Sequence, residues 1–272
     1  MRNNQRRTGQ LGAAPSSPAP SQANLAYVVP TEFVELPSRG WFYDENHPLY
    51  NQETVEIKFM TAKEEDILSS AALIKKGLVI DRLLENILVL DVDPKSLMTG
   101  DRNAIMIAAR ISGYGREYKV NLTCPKCFTP GQLDHDLRLA TIVGSCFDEE
   151  YLKDNEIIFN TETKTFDLQL PVSKTNISIK PTDGHRENLK LEGAEDSIVT
   201  SLLSRIIVAI EGDPSKVLDF VNVIPAADSK HVREIYSKLS PDVKLEDKFN
   251  CTNCYHAEKM EVPLTAEFFW PR

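Results

Sequence analysis

The sequence predicts an α+β fold: a helical layer plus small antiparallel β elements. Three observations predict it. Apolar residues recur at helical spacing between Thr61 and Gly113, they alternate with period two in several later segments, and two Cys-x-x-Cys knuckles stand far apart, at Cys124/Cys127 and Cys251/Cys254. Such knuckles, brought together, would close the fold as a zinc-ribbon-like site of four cysteines.

The 272 residues exceed one typical domain of about 100–200. The expected division is a disordered basic Pro/Ser-rich tail over 1–25, an opening segment and helical region over 26–117, and a zinc-stapled α+β region over 118–272. The last two could form a single domain. The tail is rich in Ser, Pro, Ala, Gln and Asn and has no acidic or aromatic residues, so it holds too little apolar content to offset chain entropy. With 42% hydrophobic and 26% charged residues and no long apolar run, the chain predicts no membrane span. Arg2, Arg6 and Arg7 lead into polar and small residues instead of an apolar stretch, which argues against a secretory signal, and the chain is expected to stay in a reducing cytoplasm unless it leaves as part of an assembly. A net charge of −9 opposes binding to phosphate backbones and makes nucleic acid a disfavoured partner.

In chain order, Pro30, Pro37, Gly40 and Pro48 predict an irregular opening segment anchored by Trp41, Phe42 and Tyr43. Val55, Ile57 and Phe59 alternate as a strand ending at Thr61. Thr61 and Glu64 match a capping box for a helix carrying Ile67, Leu68, Ala71 and Ile74 and stopped by Gly77. Asp81 is placed to cap a second helix bearing Leu83, Leu84, Ile87 and Leu88. Asp101 is placed to cap a third, bearing Ile105, Ala108 and Ile111 and closed by Gly113 and Gly115. Tyr118, Val120 and Leu122 then alternate into the first knuckle. Phe166, Leu168 and Leu170 alternate, as do Ile177 and Ile179, with Pro171–Asn176 as a hairpin loop. Ile198, Leu202, Leu203, Ile206 and Ile210 make the stripe of a helix over 196–210 that ends at Gly212. Two charged surface helices are expected after Asp213-Pro214 and after Pro225-Ala226, the latter bearing Val232, Ile235, Tyr236 and Leu239. The second knuckle lies between Phe249 and the alternating Met260, Val262 and Leu264, ahead of the aromatic stretch Phe268-Phe269-Trp270.

Four thiolates satisfy tetrahedral zinc completely and leave no open position for water, so Cys124, Cys127, Cys251 and Cys254 are the candidate metal ligands of one structural Zn2+. Residues 128 to 250 separate the pairs, where common zinc modules place them within about 20 residues. Unmetallated pairs, or two separate sites completed by His135 and His256, are the alternatives. Cys146, His47, His185 and His231 have no metal spacing and are read as structural side chains. The acidic runs Glu64-Glu65-Asp66 and Asp148-Glu149-Glu150 are read as first turns of helices or solvated faces. No H-E-x-x-H, G-x-S-x-G, G-x-x-x-x-G-K-[ST] or G-x-G-x-x-G motif is present, and the reading is of a protein without catalytic residues.

The order of several strings carries a resemblance. Val34-Glu35-Leu36-Pro37-Ser38-Arg39-Gly40, Met60-Thr61-Ala62-Lys63-Glu64-Glu65-Asp66-Ile67-Leu68, Leu73-Ile74-Lys75-Lys76-Gly77, the split knuckles and Phe268-Phe269-Trp270-Pro271 together resemble the base plate proteins of T4-like tailed bacteriophages over about residues 30–272. The resemblance implies a structural or assembly component of the baseplate hub, acting in virus tail morphogenesis by binding other hub or tail proteins. It also implies a place in the host cytoplasm during assembly and in the virion tail baseplate. The alternative is a zinc-ribbon nucleic-acid-binding or regulatory factor, against which the net acidity weighs. Docking through Trp41, Phe42, Tyr43, Phe268, Phe269 and Trp270 is the expected mode of action.

Overall fold

The computed structural model describes residues 28–187, 197–264 and 266–269. The tail expected over 1–25 and the aromatic Trp270 lie outside the described residues.

The opening segment is more regular than its prolines predict. Strand β1 (Thr31–Glu35) pairs antiparallel with β2 (Thr54–Lys58), Val34 opposite Val55. Between them Gly40 turns at φ +73°, and a Cβ there would lie 2.4 Å from the Leu49 carbonyl oxygen and the Gln52 nitrogen. Phe42 and Tyr43 are buried instead of forming a docking face. Trp41 is half-exposed, with its ring packed on Phe147 and Phe159.

The capping box forms as read. Thr61 N–H donates to Glu64 at 2.8 Å, and helix α1 (Ala62–Ser69) starts there. The single helix expected to reach Gly77 does not form: Ser70 is extended, and a second helix, α2 (Ala71–Lys76), follows it. Ser69 and Ser70 supply the break, since Ser69 Oγ bonds back to the Glu65 carbonyl and the Ser70 amide closes a tight turn on Ile67. Of the expected apolar face only Leu68 is buried.

Helix α3 (Val79–Ile87) and the long α4 (Thr99–Tyr114) form, but neither Asp81 nor Asp101 is an N-cap. Both sit inside a first turn and serve tertiary contacts. Asp81 pairs with Arg102 at 2.8 Å. Asp101, fully buried, accepts from Ser38 N–H at 2.9 Å, Ser38 Oγ at 2.5 Å and Tyr43 OH at 2.7 Å, pinning the opening loop to α4.

Strand β3 (Glu117–Thr123) forms as predicted, with Tyr118, Val120 and Leu122 inward. It pairs with β4 (Pro130–Asp136), which the sequence hid because Leu133 is its only aliphatic residue. After β5 (Thr141–Val143), Asp148 caps α5 (Glu149–Asp154), as the acidic run predicted. Strands β6 (Ile158–Asn160), β7 (Thr165–Gln169), β8 (Asn176–Ile179) and β9 (Ile207–Ile210) make one antiparallel sheet in sequential order. The β7–β8 hairpin is the one predicted.

Short helix α6 (Gly184–Glu187) precedes α7 (Ile198–Ile206), and here the expected helix over 196–210 is too long. From the β-branched pair Ile207-Val208 onward the chain leaves the helix and pairs with β8, Ile210 opposite Ile177. Helices α8 (Val217–Val223) and α9 (Ala226–Leu239) follow. As expected of a charged surface helix with one apolar face, α9 buries Val232, Ile235 and Leu239, while Asp228 accepts the amides of Val172 and Ser173. Strand β10 (Asp242–Lys244) returns to β5, and β11 (Glu246–Asn250) with β12 (Ala257–Glu261) forms the last hairpin. Phe268 and Phe269 are buried rather than available for docking. Buried Arg110 of α4 donates to Phe268 O at 2.8 Å, Gly115 O at 2.7 Å and Glu117 O at 3.1 Å. The buried side chains form one continuous cluster from Val34 to Phe269.

Candidate metal centre

Two hairpins present the cysteines by the same local device. The β3–β4 tip carries Cys124 and Cys127, and the β11–β12 tip carries Cys251 and Cys254. In the first, Phe128 N–H donates to Cys124 O at 2.9 Å and Cys124 N–H to Thr129 O at 3.0 Å. In the second, Tyr255 N–H donates to Cys251 O at 3.1 Å and Cys251 N–H to His256 O at 2.8 Å. Phe249 seats one hairpin on the other. A Cβ on Gly131 of β4 would come within 2.8 Å of its ring, so only a glycine admits this approach.

The four sulfurs lie within 4.8 Å of one another, with Cys124–Cys254 at 3.7 Å and Cys127–Cys251 at 3.5 Å. Zinc–thiolate bonds of about 2.3 Å arranged tetrahedrally give sulfur–sulfur edges of about 3.8 Å. The donor set therefore fits a tetrahedral, thiophilic ion. Cys124 and Cys251 are buried and Cys127 and Cys254 half-buried. Thr129, through its hydroxyl 3.2 Å away and its amide, favours the Cys127 thiolate and brings that thiol down to about 6. Cys254 moves the other way, to about 12: the His256 amide favours its thiolate, but desolvation and the three neighbouring sulfurs outweigh that contact. Asn253 Nδ2 reaches Thr129 Oγ1 at 3.0 Å and closes the gap between the tips.

A family model described as "T4 bacteriophage base plate protein" matches residues 34–270, a span that includes both knuckles. The chain belongs to this base plate protein family. Comparison with curated proteins and with solved structures finds no match. Membership makes this a phage baseplate protein, part of the virion tail, in contact with other tail proteins. Among the described residues no helix is long and apolar enough to cross a membrane.

The histidines weighed as extra ligands in this base plate protein are engaged elsewhere. His135 is buried and its Nδ1 lies 2.9 Å from Asp247, while His256 lies 3.0 Å from Glu258. Among the described residues the four cysteines are the only group of three or more candidate ligands brought together. His47 stacks on Tyr43 and bonds Ser96, and His185 lies 3.2 Å from Asp93. Burial pushes the lone Cys146 thiol up to about 12, the state of an inert side chain. The sequence reading missed the His135–Asp247 bridge between the hairpins and the Asn253–Thr129 bond between the tips. The partners lie 112 and 124 positions apart, separations that no local pattern reports.

Proposed function

We propose that this base plate protein is a structural or assembly subunit of the baseplate hub that acts by binding other tail proteins, and that Cys124, Cys127, Cys251 and Cys254 hold one structural zinc ion. The four-sulfur cluster carries the reading. Four thiolates fill a tetrahedral shell, so the bound ion would supply a cross-link between hairpins and no open position for a water or substrate. The residues around it do the corresponding work: Thr129 and Asn253 hold the tips in register, and His135 and Asp247 tie the strands behind them. Residues 118–272 then act as one unit that shares its core with 26–117. Synthesis and folding take place in the host cytoplasm, before the subunit joins the tail.

The test is complementation in infected cells with Cys124→Ser and Cys251→Ser genes. Zinc per purified chain and tail morphology by electron microscopy are read together. One zinc per chain in the wild type, lost in the variants along with normal tails, is the expected result. Normal tails from a variant without zinc would sink the structural-metal reading. Location by chemical cross-linking in isolated baseplates tests the hub: links only to peripheral proteins would remove that assignment.

A further inference from the structure

The residue after each knuckle is a solvent-exposed aromatic: Phe128 after Cys127, 76% exposed, and Tyr255 after Cys254, 87% exposed. Both take left-handed backbone, at φ +58° and +55°, a region that glycine occupies freely and bulky side chains occupy at a cost. The conformation lets each amide close its knuckle turn on the first cysteine, at 2.9 and 3.1 Å, but the exposed ring adds nothing to the protein's own core where glycine would serve. The same choice of an exposed aromatic occurs twice, at the equivalent position of two knuckle turns whose cysteines meet at one cluster.

Charge narrows what that cause is. Residues 124–130 and 251–257 contain no carboxylate and include Lys126, in a chain with a net charge of −9. The nearest acidic neighbour, Glu258, is held by His256. The tip is thus a small apolar, weakly basic surface on an acidic body, with the backbones of both aromatic residues held by the hairpin turns. Phe and Tyr have only two side-chain torsions to lose on docking and are typical anchors of protein interfaces. A second copy docked by two-fold symmetry would oppose Lys126 to Lys126, and the acidic body repels nucleic acid.

We propose that the paired tip aromatics Phe128 and Tyr255 form a docking site for a folded tail protein that offers an apolar cleft with carboxylates at its rim. The proposal rests on the reading that this subunit works by binding tail proteins, and it names the surface and the chemistry of the partner.

The full-length chain is titrated against each purified tail protein encoded by the same phage, beside the Phe128→Gly/Tyr255→Gly double variant, Lys126→Glu, and Ile158→Ser as a control at an exposed apolar residue on β6. The double variant should keep its zinc content and melt at the wild-type temperature or higher, because glycine suits both backbones. It should bind one tail protein about 30-fold more weakly or worse. Lys126→Glu should weaken the same partner, and Ile158→Ser should bind like the wild type. Equal binding by wild type and double variant overturns the tip site and leaves the broader reading standing. No binding by the wild type to any tail protein overturns both. Two further outcomes also overturn it: self-association that the double variant abolishes, and aromatic-dependent binding of single-stranded oligo(dT).

Discussion

Replacing Cys251 by Ser takes one thiolate from a cluster in which all four sulfurs lie within 4.8 Å of one another. With free zinc buffered a thousandfold above its Kd, a folded-state site contributes about 4 kcal/mol of stability. Without the ion, the hairpins rely on the His135–Asp247 contact at 2.9 Å, the Asn253–Thr129 bond at 3.0 Å and the packing of Phe249. Those contacts work against a closure entropy of about 4 kcal/mol for the residues between the knuckles. Cys251→Ser and Cys124→Ser should therefore each cost about 4 kcal/mol, and strong chelation of the wild type should cost the same. The Cys124→Ser/Cys251→Ser double variant should add less than about 1 kcal/mol, because both changes lose the same ion. Cys146→Ser, away from the cluster, should cost about 1 kcal/mol. Urea unfolding in zinc buffer gives the energies, elemental analysis gives the stoichiometry, and cobalt substitution reports thiolate coordination. Additive losses near 8 kcal/mol for the double variant, an unchanged midpoint after chelation, or full zinc retention with one knuckle altered would refute the shared site.

Three further outcomes follow from the packing. Arg110→Met removes the donors to Phe268 O, Gly115 O and Glu117 O and should cost about 3–5 kcal/mol in urea unfolding; a loss below about 1 kcal/mol would show that these carbonyls find other donors. Gly131→Ala should cost about 1–3 kcal/mol and weaken zinc retention, since its Cβ would meet the buried Phe249 ring; unchanged values would mean that the hairpins do not press together there. At Asp228 burial works against the charge, but the amides of Val172 and Ser173 outweigh it and hold the carboxyl below its ordinary range. A depressed carboxylate contributes fully above its unfolded value near 4 and loses that contribution as pH falls toward the folded value. Asp228→Asn should then cost about 1–3 kcal/mol at pH 7, and the gap from wild type should narrow below pH 4. A gap that is constant between pH 7 and pH 3 would remove the carboxylate from this role.

Features written in neighbouring residues were legible before the fold was known. The Thr61–Glu64 capping box, the inward alternation of Tyr118, Val120 and Leu122, and the β7–β8 hairpin all depend on contacts within a few positions. Errors arose where tertiary contacts overrode local preference. Asp81 and Asp101 resemble caps locally, yet α3 and α4 start earlier and spend these carboxylates on Arg102, Ser38 and Tyr43. The stripe through Ile210 reads as helix until β8 offers Ile207–Ile210 a strand partner. Strand β4 has no apolar alternation because β3 and the second hairpin hold it in place. The aromatic clusters named for docking had a closer use: Phe42, Tyr43, Phe268 and Phe269 fill the protein's own core. At the centre, the four cysteines announced themselves as two pairs, but only the fold shows their sulfurs at one point.

The distance between the knuckles along the chain is also a delay in time. Residues 128 to 250 must be made before the second pair exists, which at about 5–20 residues per second takes roughly 6–25 s. During that interval the first hairpin carries two thiols without their counterparts, while the helices before it are free to fold. Pairing across so many residues is a slow, late event. The tip that carries Phe128 and Tyr255 is complete only when the two hairpins meet, so a half-made subunit presents half a platform. Under the proposed docking role, an incomplete chain therefore lacks the surface assigned to its partner until both hairpins have been made.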